Sequence, residues 1–355
     1  MATVGVVFAL AGSSAVAATS VVATGFVAVT SGSGSLQISS FNLDGSGERR
    51  LTTGPANHRY PSVSPDGAQL LYTGDEGGVE EIYKVQLSDP AVPVRLTSPP
   101  LAANSANWSH DGTSIVYSAL VPGSPAYQIF IANPDGTDAR QLTHTTDSGN
   151  AQPAFSPDGT RVAYINGREA TGSGPNGSTV SGIANQIWVV ATDGSGAQAL
   201  TSGPLDAYPA WLDATTILFA RSGFLSQSSQ VMSVTLDGRV HVVSPQDQYF
   251  VEPRPLPDGR SYGATMENGT ELHLVRVSRM DHSLLASPST GGFVIDRLPI
   301  PAADGSSFTM AWTFGLSPSG PPAARAPNVV FALAAVGVAI LFVVGGAWFR
   351  SSRAG

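Results

Sequence analysis

The side chains best suited to chemistry are thinly spread along this chain. Its six histidines stand at 58, 110, 144, 241, 273 and 282, it has no cysteine, and neither G-x-S-x-G nor H-E-x-x-H occurs. Nucleophilic catalysis needs a base within hydrogen-bond reach of the nucleophile, and a metal needs several convergent ligands, so scattered histidines favour neither. His58 and His144 have no carboxylate at a fixed spacing to complete a metal site. The stretch GSGPNG at 172–177 matches G-x-G-x-x-G, but a dinucleotide fingerprint leaves a strand and enters a helix, and no helical pattern follows. The expectation is therefore no catalytic residue, no metal and no cofactor. What stands out instead is a polar and aromatic set just ahead of a repeated proline column: His58, Arg59, Tyr60, Asn104, Asn150, Gln152, Asp206, Tyr208, Glu252, Asp296 and Arg297. Such a mixture suits recognition of a ligand or partner.

The elements that must position this set are repeats. Residues 61–72 read PSVSPDGAQLLY and residues 153–164 read PAFSPDGTRVAY. Aligned on the turn aspartate, the copies fall at Asp66, Asp111, Asp158, Asp213, Asp258 and Asp304, spaced by 45, 47, 55, 45 and 46 residues. Between them recurs an alternating strand that runs into a turn and a short strand, as in YQIFIANPDGTDARQLT at 127–143. In each SPDG turn the proline presets φ, the aspartate bonds its own backbone and the glycine takes a positive φ. Asp66, Gly67, Asp111, Gly112, Asp158, Gly159, Asp258, Gly259, Asp304 and Gly305 are read as turn residues without chemistry of their own. The first copy of the second element, at 36–52, precedes the first SPDG unit, and the last first half, ending near Phe314, has no second half after it. Such an offset closes a ring of sheets and hides the edges that an open array would expose. The fold class expected is all-β: a six-bladed β-propeller closed by N-terminal strands, with one C-terminal transmembrane helix. GFVAVTS at 25–31 competes with FTMAWTF at 308–314 for one strand of the closing blade.

These repeats resemble the TolB-like six-bladed propellers, whose units carry the same proline–x–aromatic–SPDG strand, an isoleucine-aromatic strand and a DG-containing turn ending in Leu-Thr. The resemblance spans 36–315 and is densest in the first three blades; the fourth has LDAT where SPDG is expected and the sixth keeps only ADG. It implies a scaffold in the cell envelope that binds a protein or peptide partner. Related propellers in polysaccharide lyases and peptidases supply the alternative, a carbohydrate-binding or lyase-type use of the central channel. The residues after the sixth repeat are too few for the catalytic domain that a peptidase would need.

The ends and the charge complete the reading. Residues 328–349 carry no charge and are mostly apolar, long enough to span a bilayer, with Trp348, Arg350 and Arg353 at the far end. The chain is thus divided into a signal peptide or signal anchor (1–30), the propeller (31–315), a Pro/Gly/Ser linker (316–327), a transmembrane helix (328–349) and a cytoplasmic tail (350–355). Strand is the third reading of the uncharged N-terminus. The propeller is placed outside the cytoplasm of a bacterium whose preference for arginine over lysine suggests a GC-rich genome. With a net charge of -8 and Lys84 as the single lysine, nucleic acid is excluded as a partner and basic partners are favoured.

Overall fold

The computed structural model describes residues 25–31, 35–42, 47–124, 126–173, 179–222, 229–244, 249–255, 261–268, 271–278 and 284–286. Every regular element among them is a β-strand. The first sheet consists of β1 (Gly25–Ser31), β2 (Leu36–Asn42) and β3 (Arg49–Arg50). Blade one follows with β4 (His58–Val63), β5 (Gln69–Gly74), β6 (Glu81–Gln86) and β7 (Asp89–Arg95). Blade two has β8 (Ala102–Trp108), β9 (Ile115–Leu120), β10 (Gln128–Ala132) and β11 (Arg140–Gln141). Blade three has β12 (Gly149–Phe155), β13 (Arg161–Ser173), β14 (Thr179–Ala191) and β15 (Gln198–Ala199). Blade four has β16 (Leu205–Trp211), β17 (Thr216–Ser222), β18 (Ser229–Thr235) and β19 (Val240–Val242), and blade five has β20 (Tyr249–Pro255), β21 (Ser261–Asn268), β22 (Glu271–Ser278) and β23 (Leu284–Ala286). Within each blade consecutive strands pair antiparallel, and one parallel pairing, Asn185 with Leu205, links blades three and four.

The turns are built as their residues dictate. In blade one the Ser64 hydroxyl donates to Asp66 Oδ1, which also accepts the Ala68 amide at 3.0 Å, while Gly67 sits at φ 72°. Ser109 with Asp111 and Ser156 with Asp158 repeat this arrangement, with Gly112 and Gly159 at φ 71° and 68°. The Leu-Thr ending also acquires a reason. The threonine hydroxyl accepts the backbone N–H of the facing strand: Ile38 to Thr52, Ile82 to Thr97, Ile129 to Thr143 and Ile187 to Thr201, all at 2.8–2.9 Å. Ser244 does the same for Val231 at 3.2 Å. The leucine before it drops into the core, with Leu51, Leu142 and Leu200 all buried.

The core lies between sheets. Leu71 and Ile82 of blade one pack on Ala103, Trp108 and Ile115 of blade two, and Val116 and Ile129 of blade two pack on Phe155 and Val162 of blade three. Ile38 and Leu51 of the first sheet pack on Val63, Leu70 and Tyr72 in the same way. The aromatic position of the motif does more than fill space: Trp108 Nε1 donates to Ser62 O and Trp211 Nε1 to Ala154 O, both at 3.0 Å and both into the preceding blade.

Two segments go beyond what the repeats alone indicate. Residues 167–184, rich in glycine and serine, lengthen β13 and β14 to 13 residues each, paired from Gly167–Asn185 to Ser173–Thr179. They form a two-stranded arm, because Asn176-Gly177 between runs containing Thr171, Thr179, Val180 and Ile183 is a hairpin signal stronger than the glycine and serine content. The other is GFVAVTS at 25–31, one of the two candidates for a strand of the closing blade. β1 pairs with β2 along all seven residues, from Gly25–Asn42 to Ser31–Leu36. A four-residue connection closes this hairpin with far less loop entropy than a strand more than 250 residues away would require. The expected strand at 308–314, the linker at 316–327 and the apolar stretch at 328–349 lie outside the described residues, as do residues 1–24. Among the described residues no helix is long and apolar enough to cross a membrane.

Candidate functional site

The innermost strands β4, β8, β12, β16 and β20 each carry a bulge at the same register. In four of them the bulged residue is a non-glycine in the left-handed region: Tyr60 (φ 51°), Ser105 (56°), Gln152 (54°) and Tyr208 (58°). That conformation costs an ordinary residue about 1–2 kcal/mol and persists only where the surrounding structure enforces it. Here the following Pro61, Pro153 and Pro209 disfavour the right-handed helical region for the residue before them. The bulges turn their side chains toward the axis, where Tyr60, Ser105, Gln152 and Tyr208 line a cavity of about 30 Å³ together with Asn107 and Arg254. That is room for about two water molecules. Gln152 Oε1 accepts the Tyr208 amide across this space at 2.8 Å.

The structure sorts the predicted residues into three groups. Tyr60, Gln152 and Tyr208 reach the channel. Arg59 is partly exposed on the rim and pairs with Glu80 at 3.5 Å. His58, Asn104, Asn150 and Asp206 are instead buried connectors between strands. His58 places Nδ1 2.9 Å from Gln37 Oε1 of β2 and Nε2 2.8 Å from Glu76 Oε1, with its ring edge on Tyr72. Gln37 is oriented by Nε2–H bonds to the carbonyls of Gly54 and Ala56, which can only accept. Asn104 Nδ2 donates to Glu80 Oε2 at 2.8 Å. Asn150 Nδ2 donates to Gln128 Oε1 and Asn150 Oδ1 accepts from Asn166 Nδ2. Asp206, fully buried, takes a bidentate grip from Arg221 Nε and Nη2 at 2.6 and 2.8 Å. The Glu252 side chain and Asp296, Arg297, Asp258, Gly259, Asp304 and Gly305 lie outside the described residues.

Electrostatics agree with this division. The turn carboxyls are held below the usual carboxylate range: Asp66 by the Ser64 hydroxyl and Asp158 by the Ser156 hydroxyl. They sit where β4 meets β5 and β12 meets β13. Strand alternation puts the connections between second and third strands, and between successive blades, at the opposite end. That end carries Arg59, Asp75, Glu76, Glu80, Asp147 and the blade-three arm. Gln37, Gln128, Glu76 and Arg221 escaped the sequence reading. The glutamines had a signal, since Gln37, Glu81, Gln128, Gln186 and Gln230 form a column before Ile or Val. Glu76 and Arg221 had none, because their partners are met only through strand pairing.

Comparison with known proteins places this architecture. The family described as "TolB beta propeller domain" matches residues 6–173. A TolB homologue of Chlorobium luteolum is 28% identical over 149 residues, 42% of this chain and 33% of the relative. Dipeptidyl-peptidase 5 of Porphyromonas endodontalis is 32% identical over 108 residues, 29% of this chain and 15% of that protein. The chain thus spans a third or less of the length of these two relatives. The solved structure of a putative TolB from Agrobacterium tumefaciens superposes with a TM-score of 0.56 at 18% identity, covering 81% of this chain and 98% of the other. An all-β ring of repeated four-stranded sheets with these turns defines the class, a β-propeller. Within it, this chain is TolB-like.

Proposed function

We propose that this chain is an extracytoplasmic scaffold that binds a protein or peptide partner on the end of the propeller carrying Arg59, Glu76, Glu80 and the blade-three arm. One observation carries the reading. The variable connections, the acidic rim and the arm gather at one end of the described blades. The ring closes as six blades, with β1, β2 and β3 in the closing blade and residues up to 315 contributing to it. Residues 328–349 anchor it in the membrane, leaving 350–355 in the cytoplasm. In this reading Tyr60, Gln152, Tyr208, Glu252, Asp296 and Arg297 face the partner, while His58, Asn104, Asn150 and Asp206 hold the rim in shape. The net charge of -8 favours a basic partner surface.

Site-specific photo-crosslinking in intact membranes tests this. A photoreactive residue at position 59 or 76 is expected to capture one and the same partner, identified by mass spectrometry. The same residue at 113 or 193, on the opposite end, is expected to capture none. Capture chiefly from 113 or 193 would overturn the proposal. Proteolysis of spheroplasts with and without residues 328–355 tests the anchor: the propeller of the full chain should stay with the membrane fraction, and the truncated one should be released.

A further inference from the structure

The arm of blade three differs from the outermost strands of the sheets in one physical respect. Outer strands of a sheet present unpaired backbone groups that template unwanted pairing, so they are kept short or interrupted by proline. That holds here for β3, β11 and β15, of two residues each, and for β19 and β23, of three. β7 is longer, but its ladder with β6 is broken between Val94 and Asp89, and Pro90 and Pro93 in that stretch have no N–H to offer.

The arm carries neither safeguard. Asn150 pairs with Asn166, yet its amide points away to Tyr127 O; Asn185 pairs with Gly167, yet its amide points away to Pro204 O. Both pairs are therefore the non-hydrogen-bonded kind, and alternation along β13 directs the amides of Glu169 and Thr171 away from β14. β12 begins at Gly149, opposite Gly167, so no strand covers β13 beyond that point among the described residues. The sequence there, REATGS, has no proline and one carboxylate. Because β12 is an innermost strand, the space beside this edge lies over the channel mouth.

We propose that the free edge of β13, from Arg168 to Ser173, docks an extended segment of a partner protein by strand addition, and that this segment is basic. The proposal rests on the loop-face reading above and names its mode. Two arguments select the occupant. Five carboxylates at this end, Asp75, Glu76, Glu80, Asp147 and Glu169, outnumber Arg59, which pairs with Glu80, and Arg168, so the mouth keeps an acidic field that attracts lysine and arginine. A second copy is disfavoured because one six-residue edge buries far less than the roughly 1,200 Å² of a stable interface, whereas a peptide crossing the mouth adds rim contacts.

The test uses fluorescence anisotropy of the full chain in detergent with a fluorescein-labelled peptide that alternates lysine with valine or threonine. A counterpart with glutamate in place of lysine serves as control. Thr171→Pro removes one outward amide without touching the β13–β14 ladder, and circular dichroism melting confirms that the variant folds. The expected result is saturable binding of the lysine peptide, about tenfold weaker in Thr171→Pro and in the glutamate control, as loss of one hydrogen bond of about 1.4 kcal/mol implies. Binding that Thr171→Pro leaves unchanged, but that Glu76→Gln with Glu80→Gln abolishes, overturns the edge proposal and leaves the loop-face reading standing. No binding of the lysine peptide overturns it as well. Self-association seen by sedimentation and removed by Thr171→Pro would assign the edge to a second copy instead.

Discussion

Individual side chains in this protein do their work mainly by satisfying backbone. Thr143 accepts the Ile129 amide and donates to Gln128 Oε1, both at 2.9 Å, so Thr143→Val strands the buried Ile129 amide and takes one donor from Gln128 Oε1, which keeps Asn150 Nδ2 at 3.0 Å. The expected loss is about 2 kcal/mol in urea denaturation. Asp206 is the most exacting case: Asp206→Asn breaks a bidentate pair whose carboxylate is fully buried, and about 3 kcal/mol of lost stability is expected. The turn aspartates predict a pH effect. Asp66 and Asp158 have folded pKa values below the unfolded value of about 3.9, so their stabilisation is complete above that value and is lost as pH falls through the folded one. Thermal melts between pH 7 and pH 3 should show an acid-side drop that is smaller in the Asp66→Asn, Asp158→Asn double variant. An unchanged drop would mean that other groups govern it.

At the scale of the strand and turn, legibility followed from how local the cause is. The SPDG turns could be read because Ser64, Asp66 and Gly67 carry the whole interaction within four residues. The strands were visible through alternation, and the Leu-Thr endings through repetition alone, before Thr52 or Thr143 had an evident partner. The role of the mouth column was harder to see. His58 and Arg59 are neighbours in the chain, yet one is buried against Gln37 and the other partly exposed on Glu80, because alternation sends adjacent side chains to opposite faces. The arm is obscured by its glycine and serine content, although Asn176-Gly177 is a hairpin signal in the sequence. None of its described residues belongs to a core cluster, so joining Gly167 to Asn185 through a two-residue Asn-Gly turn should leave the melting temperature within about 2 °C of the parent. A larger fall in differential scanning calorimetry would mean that the arm braces its blade.

For the molecule as a whole, the decisive question is how the ring is fastened. Sheet β1–β2–β3 packs on blade one through Ile38 and Leu51 and is pinned to it by Gln37 on His58. Deleting residues 25–31 strips β2 of its seven-residue ladder. The melting temperature should then fall on the order of 10 °C, at about 2–4 °C per kcal/mol for a domain of this size. A deletion variant that melts like the parent would show that the ring is fastened elsewhere.

The hydroxyl contacts at Thr52, Thr97, Thr143, Thr201 and Ser244 recur in the first sheet and in blades one to four and share no side chain with one another. Losses at sites so separated are close to additive, so no single repeat is indispensable to the rest. That independence gives each unit licence to drift: blade four surrendered SPDG for LDAT and exchanged the threonine for Ser244, yet kept the contact to the Val231 amide. Mutational wear in such a wheel is met spoke by spoke.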